Sequence, residues 1–193
     1  MKAGLGTITL VVALLVVFGI ELATHSAGNE ASLLNLGALP DNGTLHGQYW
    51  RVATYSFLHF NGAHLLVNVL LLFWVGRIVE SWVGIAYAAA IYVSSVLSSA
   101  AVILLFDNLY PKAGATFGAS GGIFGLLAAA LIIVYREKAQ LPRGQSRLRS
   151  FLWIALLAGL GVSLLPGVSM AGHIGGLIGG TVVAPIARLR TNG

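Results

Sequence analysis

The 193-residue sequence has no cysteine. Disulfides, thiol nucleophiles and cysteine-held metals are therefore excluded, while the redox compartment is left open. Charge is nearly as scarce: Asp, Glu, Lys and Arg make up 9% of the residues, against roughly a quarter in a soluble domain. A surface so short of charge cannot be solvated by water, and a soluble globular fold is excluded. No basic stretch is interleaved with stacking aromatics, so a nucleic-acid partner is set aside. What the chain has is hydrocarbon, with 57% hydrophobic residues. Its solvent is lipid, and it reads as an integral membrane protein.

A bilayer-crossing helix needs roughly 20 apolar residues. Six stretches qualify, at about 5–23, 62–80, 84–106, 116–135, 150–166 and 170–187. The expected fold is all-α: a six-transmembrane-helix bundle forming one domain over 1–193. The first stretch follows Lys2 as a signal peptide would, but its apolar run is long for a signal and five more spans follow, so it is expected to be retained. With both termini cytoplasmic, Lys2, Arg77, Arg136, Lys138, Arg143, Arg147, Arg149, Arg188 and Arg190 lie inside, and only Arg51 and Lys112 lie outside. That asymmetry is what the positive-inside rule demands, and adding or losing one span would scramble it.

The longest connection, about 24–61, mixes turn residues (Pro40, Asp41, Asn42, Gly43) with apolar ones (Leu33, Leu34, Leu36, Leu39, Trp50, Phe57, Leu58, Phe60). It is expected to lie in the membrane interface or on the bundle, the plainer alternative being an amphipathic surface loop. The segment REKAQLPRGQSRLR, 136–149, reads as a topology determinant in contact with anionic lipid.

Polar residues at membrane depth are functional candidates by default. Asn68 lies in the second span with His64 four residues before it, on the same helix face. Ser120 opens the fourth span and His173 the sixth. All three spans run outside to inside, so these side chains fall in one layer near the outer face, Asn68 about 6 Å deeper than His64. Serine becomes a nucleophile when a base takes its proton, and histidine is the usual base. The oxyanion that follows needs donors. Asn68, His64 and the Ser120 backbone N–H, in a first helical turn, can supply them. No Asp or Glu lies at that depth, so the set reads as a dyad, with His173 held by packing.

Gly121 and Gly125 are four apart, as are Gly172, Gly176 and Gly180. Small residues at that spacing let helix backbones approach closely, which would bring spans four and six together. Each polar residue also has a plain reading: a helix-packing serine, a structural histidine, an asparagine that joins helices. GASGG fits the G-x-S-x-G elbow of soluble hydrolases, but that elbow needs a strand before the serine, and apolar helix surrounds this one. His59 and His64 are five apart without carboxylates nearby and fit a zinc site poorly. His25 and His46 lie in or near the first loop and are expected to be solvated.

Four motifs run through nearly the whole chain: Trp50–Arg51 in the first loop, H-x-x-x-N from His64 to Asn68, G-x-S-G over Gly118, Ser120 and Gly121, and H-x-x-G-x-x-x-G over His173, Gly176 and Gly180. In this order the chain resembles the rhomboid intramembrane serine proteases of minimal six-span form. The resemblance implies Ser120 as nucleophile, His173 as general base, and His64, Asn68 and the Ser120 amide as oxyanion hole. It implies transmembrane protein substrates cut near the outer face, with small side chains at the cut and helix-loosening residues nearby. No cofactor or metal is implied. Trp50 and Arg51 would be structural in a membrane-associated hairpin. The fifth span and the loop 164–170 would gate the site. One departure stands out: where many bacterial members stack a tyrosine on the histidine, this chain has Phe124, which keeps the ring and lacks the hydroxyl. The expected location is a prokaryotic plasma membrane, with the site opening outward and lipids as neighbours. The rival functions are an inactive relative that binds membrane clients, which would typically lack the serine or the histidine, and a small transporter, for which no inverted repeat of broken helices is evident.

Overall fold

A computed structural model of the chain describes residues 4–136 and 145–186. Lys2, Lys138, Arg143, Arg188 and Arg190, which carry part of the charge asymmetry, lie outside the described residues.

The first long helix, α1 (Leu5–Ala23), is apolar on every side. Leu5, Ile8, Val12, Leu15, Val16, Ile20 and Leu22 are exposed, whereas Thr7, Leu14 and Glu21 are buried. A helix with its apolar residues outward suits lipid as solvent. Its N-terminus is capped from far away in sequence. The Glu80 carboxylate accepts hydrogen bonds from the Gly6 N–H (3.0 Å), the Thr7 N–H (2.8 Å) and the Thr7 hydroxyl (2.8 Å). An anion at the first-turn amides satisfies donors that have no intrahelical partner.

The first connection is folded rather than loose. It holds α2 (Glu30–Leu36), a two-residue strand β1 (Leu39–Pro40), and α3 (Arg51–Thr54) continuing into a 3-10 turn (Tyr55–Phe57). Asn29 caps α2 by accepting from the Ser32 N–H. Arg51 closes its other end: one guanidinium nitrogen donates to the Leu34 and Ala38 carbonyls, both at 2.6 Å. Trp50 is 57% exposed and turns outward. β1 pairs antiparallel with β2 (Ala115–Thr116), Leu39 opposite Thr116. Around that pair, the Asp41 N–H donates to the Gly114 carbonyl, the Lys112 N–H to the Asp41 carbonyl and the Thr116 hydroxyl to the Asp41 carboxylate.

Next comes a 22-residue apolar stretch made of α4 (Gly62–Leu71), a π turn (Leu72–Gly76) and α5 (Arg77–Val83). Gly84, at φ +85°, breaks it before α6 (Ile85–Leu109). Then follow α7 (Ser120–Arg136), α8 (Gln145–Val162) and α9 (Met170–Val183) with a final 3-10 turn (Ala184–Ile186). Among the described residues three helical stretches are long and apolar enough to cross a bilayer, 5–23, 62–83 and 85–109, and 120–136 and 170–186 are shorter apolar helices.

α7 is the axis of the bundle: every residue from Gly121 to Leu131 is buried. α9 packs against both α6 and α7, and α8 lies on the flank of α7. Two helices differ at their ends from the sequence expectation. The fourth helix starts at Ser120 rather than near 116, because 115–116 is drawn into the ladder with β1 and Gly118 follows at φ +126°. The fifth runs from Gln145 to Val162 rather than 150–166; past Ser163 the backbone bonds tighten to turns, with the Leu164 N–H donating to the Gly161 carbonyl and the Leu165 N–H to the Val162 carbonyl.

Candidate active site

Ser120 is the first residue of α7, and its placement is set by the backbone before it. The Gly118 N–H donates to the Tyr55 carbonyl at 2.9 Å, which ties this turn to the first connection. Gly118 has φ +126°, a conformation glycine adopts at little cost. A Cβ there would stand 3.0 Å from Nε2 of His64 and 3.9 Å from the Ser120 hydroxyl oxygen. The missing side chain thus leaves a hollow bordered by His64 on one side and Ser120 on the other.

His173 stands in the first turns of α9, which Ser169 caps by accepting from the Gly172 N–H at 3.1 Å. Its ring is buried and held on three sides. Nε2 lies 2.8 Å from the Ser120 hydroxyl oxygen. Nδ1 is hydrogen-bonded to the Ser163 hydroxyl. One face stacks on Phe124, with centroids 4.1 Å apart and planes 10° from parallel. Phe124 reaches this position because residue 159 is glycine, where a Cβ would sit 2.6 Å from the Phe124 Cζ.

Glycine also sets the distance between α7 and α9. A Cβ on Gly176 would overlap the Gly121 carbonyl, and one on Gly180 the Gly125 carbonyl. A Cβ on Gly125 would meet the Gly176 carbonyl oxygen at 2.9 Å. The two backbones touch along this seam, and Ser120 and His173 lie at its end. Gly172 meets Ile103 and Ser99 of α6 instead.

His64 takes its place from the cap of α4, where Asn61 accepts from the His64 N–H at 2.9 Å. Its ring rests edge-on against that of His59, centroids 5.0 Å apart. His59 is fully buried, its N–H donating to Glu21 Oε1 and its Nδ1–H to the Phe57 carbonyl. Burial, and His64 nearby, push the His59 imidazole down to about 3, so it is a neutral wall for His64. Asn68 is buried one turn below His64 and donates one amide proton to the His64 carbonyl at 2.9 Å. An amide nitrogen has a second proton left to give. Ser120, His173 and Phe124 are in direct contact, and His64 joins them across the Gly118 hollow. Asn68 belongs to the group through the α4 face it shares with His64. Trp50 and Arg51 stand apart from it and build the first connection.

Three contributors were not singled out from the sequence. Asn61 and Ser169 were readable as N-caps, each standing just before an apolar helix. Ser163 carried no such signal, because a serine near a helix end in an apolar run has many uses.

Residues 46–190 match the family model described as the Rhomboid domain. The chain is 31% identical over 172 residues to the Rhomboid protease GluP of Bacillus subtilis (strain 168), covering 89% of this chain and 32% of that protein. It is 29% identical over 199 residues to the Rhomboid protease AarA of Providencia stuartii, covering 92% of this chain and 70% of that one. It is 31% identical over 159 residues to RHOMBOID-like protein 5 of Arabidopsis thaliana, covering 82% and 50% respectively. The chain thus spans a third to a half of the length of several relatives.

Proposed function

The chain belongs to the rhomboid family, and from that premise and the site geometry we propose that it is an intramembrane serine endopeptidase cutting transmembrane segments of other membrane proteins near the outer face. The observation that carries this reading is the 2.8 Å approach of the Ser120 hydroxyl to His173 Nε2. The likeness to the bacterial Rhomboid proteases GluP and AarA supports it.

In this reading His173 Nε2 takes the Ser120 proton as the oxygen attacks the scissile carbonyl. Charge moves to the carbonyl oxygen. The hollow at Gly118 is where it is received, within reach of a His64 ring N–H and of the Ser120 amide, whose position in a first helical turn leaves it without an intrahelical acceptor. Asn68 completes the donor set. The imidazolium then gives its proton to the leaving amine, and the C–N bond breaks to leave an acyl ester on Ser120. Water, deprotonated by the same nitrogen, attacks the ester and frees the serine. A membrane helix has its amides paired internally and must be unwound before attack, which favours substrates with weak helices and small residues at the cut. Water enters from the outer side, past the end of α8.

We assign the chain one domain of six membrane segments, α1, α4–α5, α6, α7, α8 and α9, with both termini cytoplasmic, in a prokaryotic plasma membrane among lipids. The test is reconstitution with single-span substrates, mass-spectrometric mapping of the products, and labelling by a fluorophosphonate. Product from the wild type and label on Ser120 that is lost in Ser120→Ala are expected. Products that persist undiminished in Ser120→Ala would overturn the reading.

A further inference from the structure

We infer that Ser163 is a positioning residue for His173: it holds the imidazole with its proton on Nδ1, so that the lone pair on Nε2 faces Ser120. The inference rests on the proposed hydrolytic role of that pair, and it gives the orienting task of a carboxylate to a neutral hydroxyl at the end of α8.

The argument is a count of protons. The Ser163 hydroxyl has one hydrogen and two partners. One partner is the Gly159 carbonyl at 2.8 Å, which can only accept. The hydroxyl proton therefore goes to Gly159, and the oxygen offers a lone pair to His173 Nδ1. Nδ1 must then be the donor. A neutral imidazole carries one N–H, so Nε2 is bare and accepts the Ser120 hydroxyl proton across 2.8 Å. This is the form a general base requires. When His173 gains the serine proton, the Nδ1–H to Ser163 bond stays as it was, and the charged ring needs no rearrangement. No Asp or Glu occurs anywhere in 117–136 or 145–186, the segments that hold Ser120, Phe124, Ser163 and His173. A hydroxyl whose own proton is committed elsewhere fixes the tautomer without taking the proton away.

The orienting oxygen also interlocks with the stacking ring. Gly159 receives Phe124 in the space of its missing side chain, and its carbonyl fixes Ser163. A displacement of the end of α8 would release the face and the Nδ1 edge of His173 together.

The test uses the full chain in detergent micelles and reads the 15N spectrum of the His173 ring, identified by its loss in His173→Gln. A protonated Nδ1 and a bare Nε2 are expected in the wild type. In Ser163→Ala the ring signal should move toward a mixture of tautomers, and kcat should fall about 10–100-fold with KM within about twofold. Ser163→Thr, which keeps the hydroxyl, should restore both. A wild-type ring protonated on Nε2 overturns the inference whatever the variants do, and so does a Ser163→Ala protein with unchanged kcat and an unchanged ring signal. If Ser163→Ala does not fold, the wild-type and Ser163→Thr spectra decide. Failure of the protease reading is separate: it would show as a wild type that neither cleaves substrates nor takes fluorophosphonate on Ser120, while the ring signal still reports on Ser163.

Discussion

The seam between α7 and α9 and the flank formed by α8 are both apolar and both touch His173, yet they are built in opposite ways. Along the seam the glycines bring backbone onto backbone, and a single methyl group on Gly176 or Gly180 has nowhere to go. On the flank, Ile154, Leu157, Val162, Leu164 and Leu165 are exposed, and a Cβ on Gly161 would meet nothing within 4 Å. The seam fixes the Ser120–His173 distance by steric exclusion. The flank reaches the site only through its end, where Gly159 makes room for the Phe124 ring of α7 and the Ser163 hydroxyl meets His173. Close placement of Ser120 against His173 thus coexists with a neighbouring helix whose outward side chains are exposed, as the proposed admission of a helix and water would require.

The contrast can be tested in order of expected effect. Ser120→Ala and His173→Ala remove the groups that the seam brings together. Each should lower cleavage by at least about 10³-fold while the thermal midpoint in detergent stays near the wild-type value. Cleavage near the wild-type rate in either variant would break the comparison at its root. Gly176→Ala attacks the seam itself and should destabilise the bundle by about 1–3 kcal/mol through overpacking, visible as a drop of several degrees in the melt and a loss of activity with it. Phe124→Leu keeps apolar bulk and loses the flat stack on His173. An aromatic contact of this kind contributes about 0.5–1.5 kcal/mol, so kcat should fall roughly 3–10-fold with little change in the melt. Gly161→Ala, on the flank, should leave cleavage unchanged and raise stability by about 0.5 kcal/mol. A Gly161→Ala protein as damaged as Gly176→Ala would show that the flank is packed as tightly as the seam.

Much of this layout is legible in the sequence. Apolar runs mark the long helices, the four-residue glycine spacing points to a close approach of two segments, and a common depth groups Ser120, His173, His64 and Asn68. Features that depend on distant partners were not legible. The start of α7 at Ser120 follows from pairing with Leu39, far back in the chain. Nothing local marks Glu80, and only the fold carries it to the amides of α1. Ser163 sits in a stretch of Gly, Val and Leu where local pattern has nothing to say about a histidine ten residues on.

The ladder between β1 and β2 sets the terms for anyone recombining this protein with a relative. Residues 39–41 and 112–116 hold one another by paired backbone and by Asp41, and two residues later the Gly118 amide is anchored on Tyr55. A chimera that swaps the first connection alone would bring in a foreign strand edge and leave the turn that presents Ser120 without its matched support. The natural cassette is 24–61 together with 111–119, exchanged as one block although some fifty residues of helix separate the two pieces.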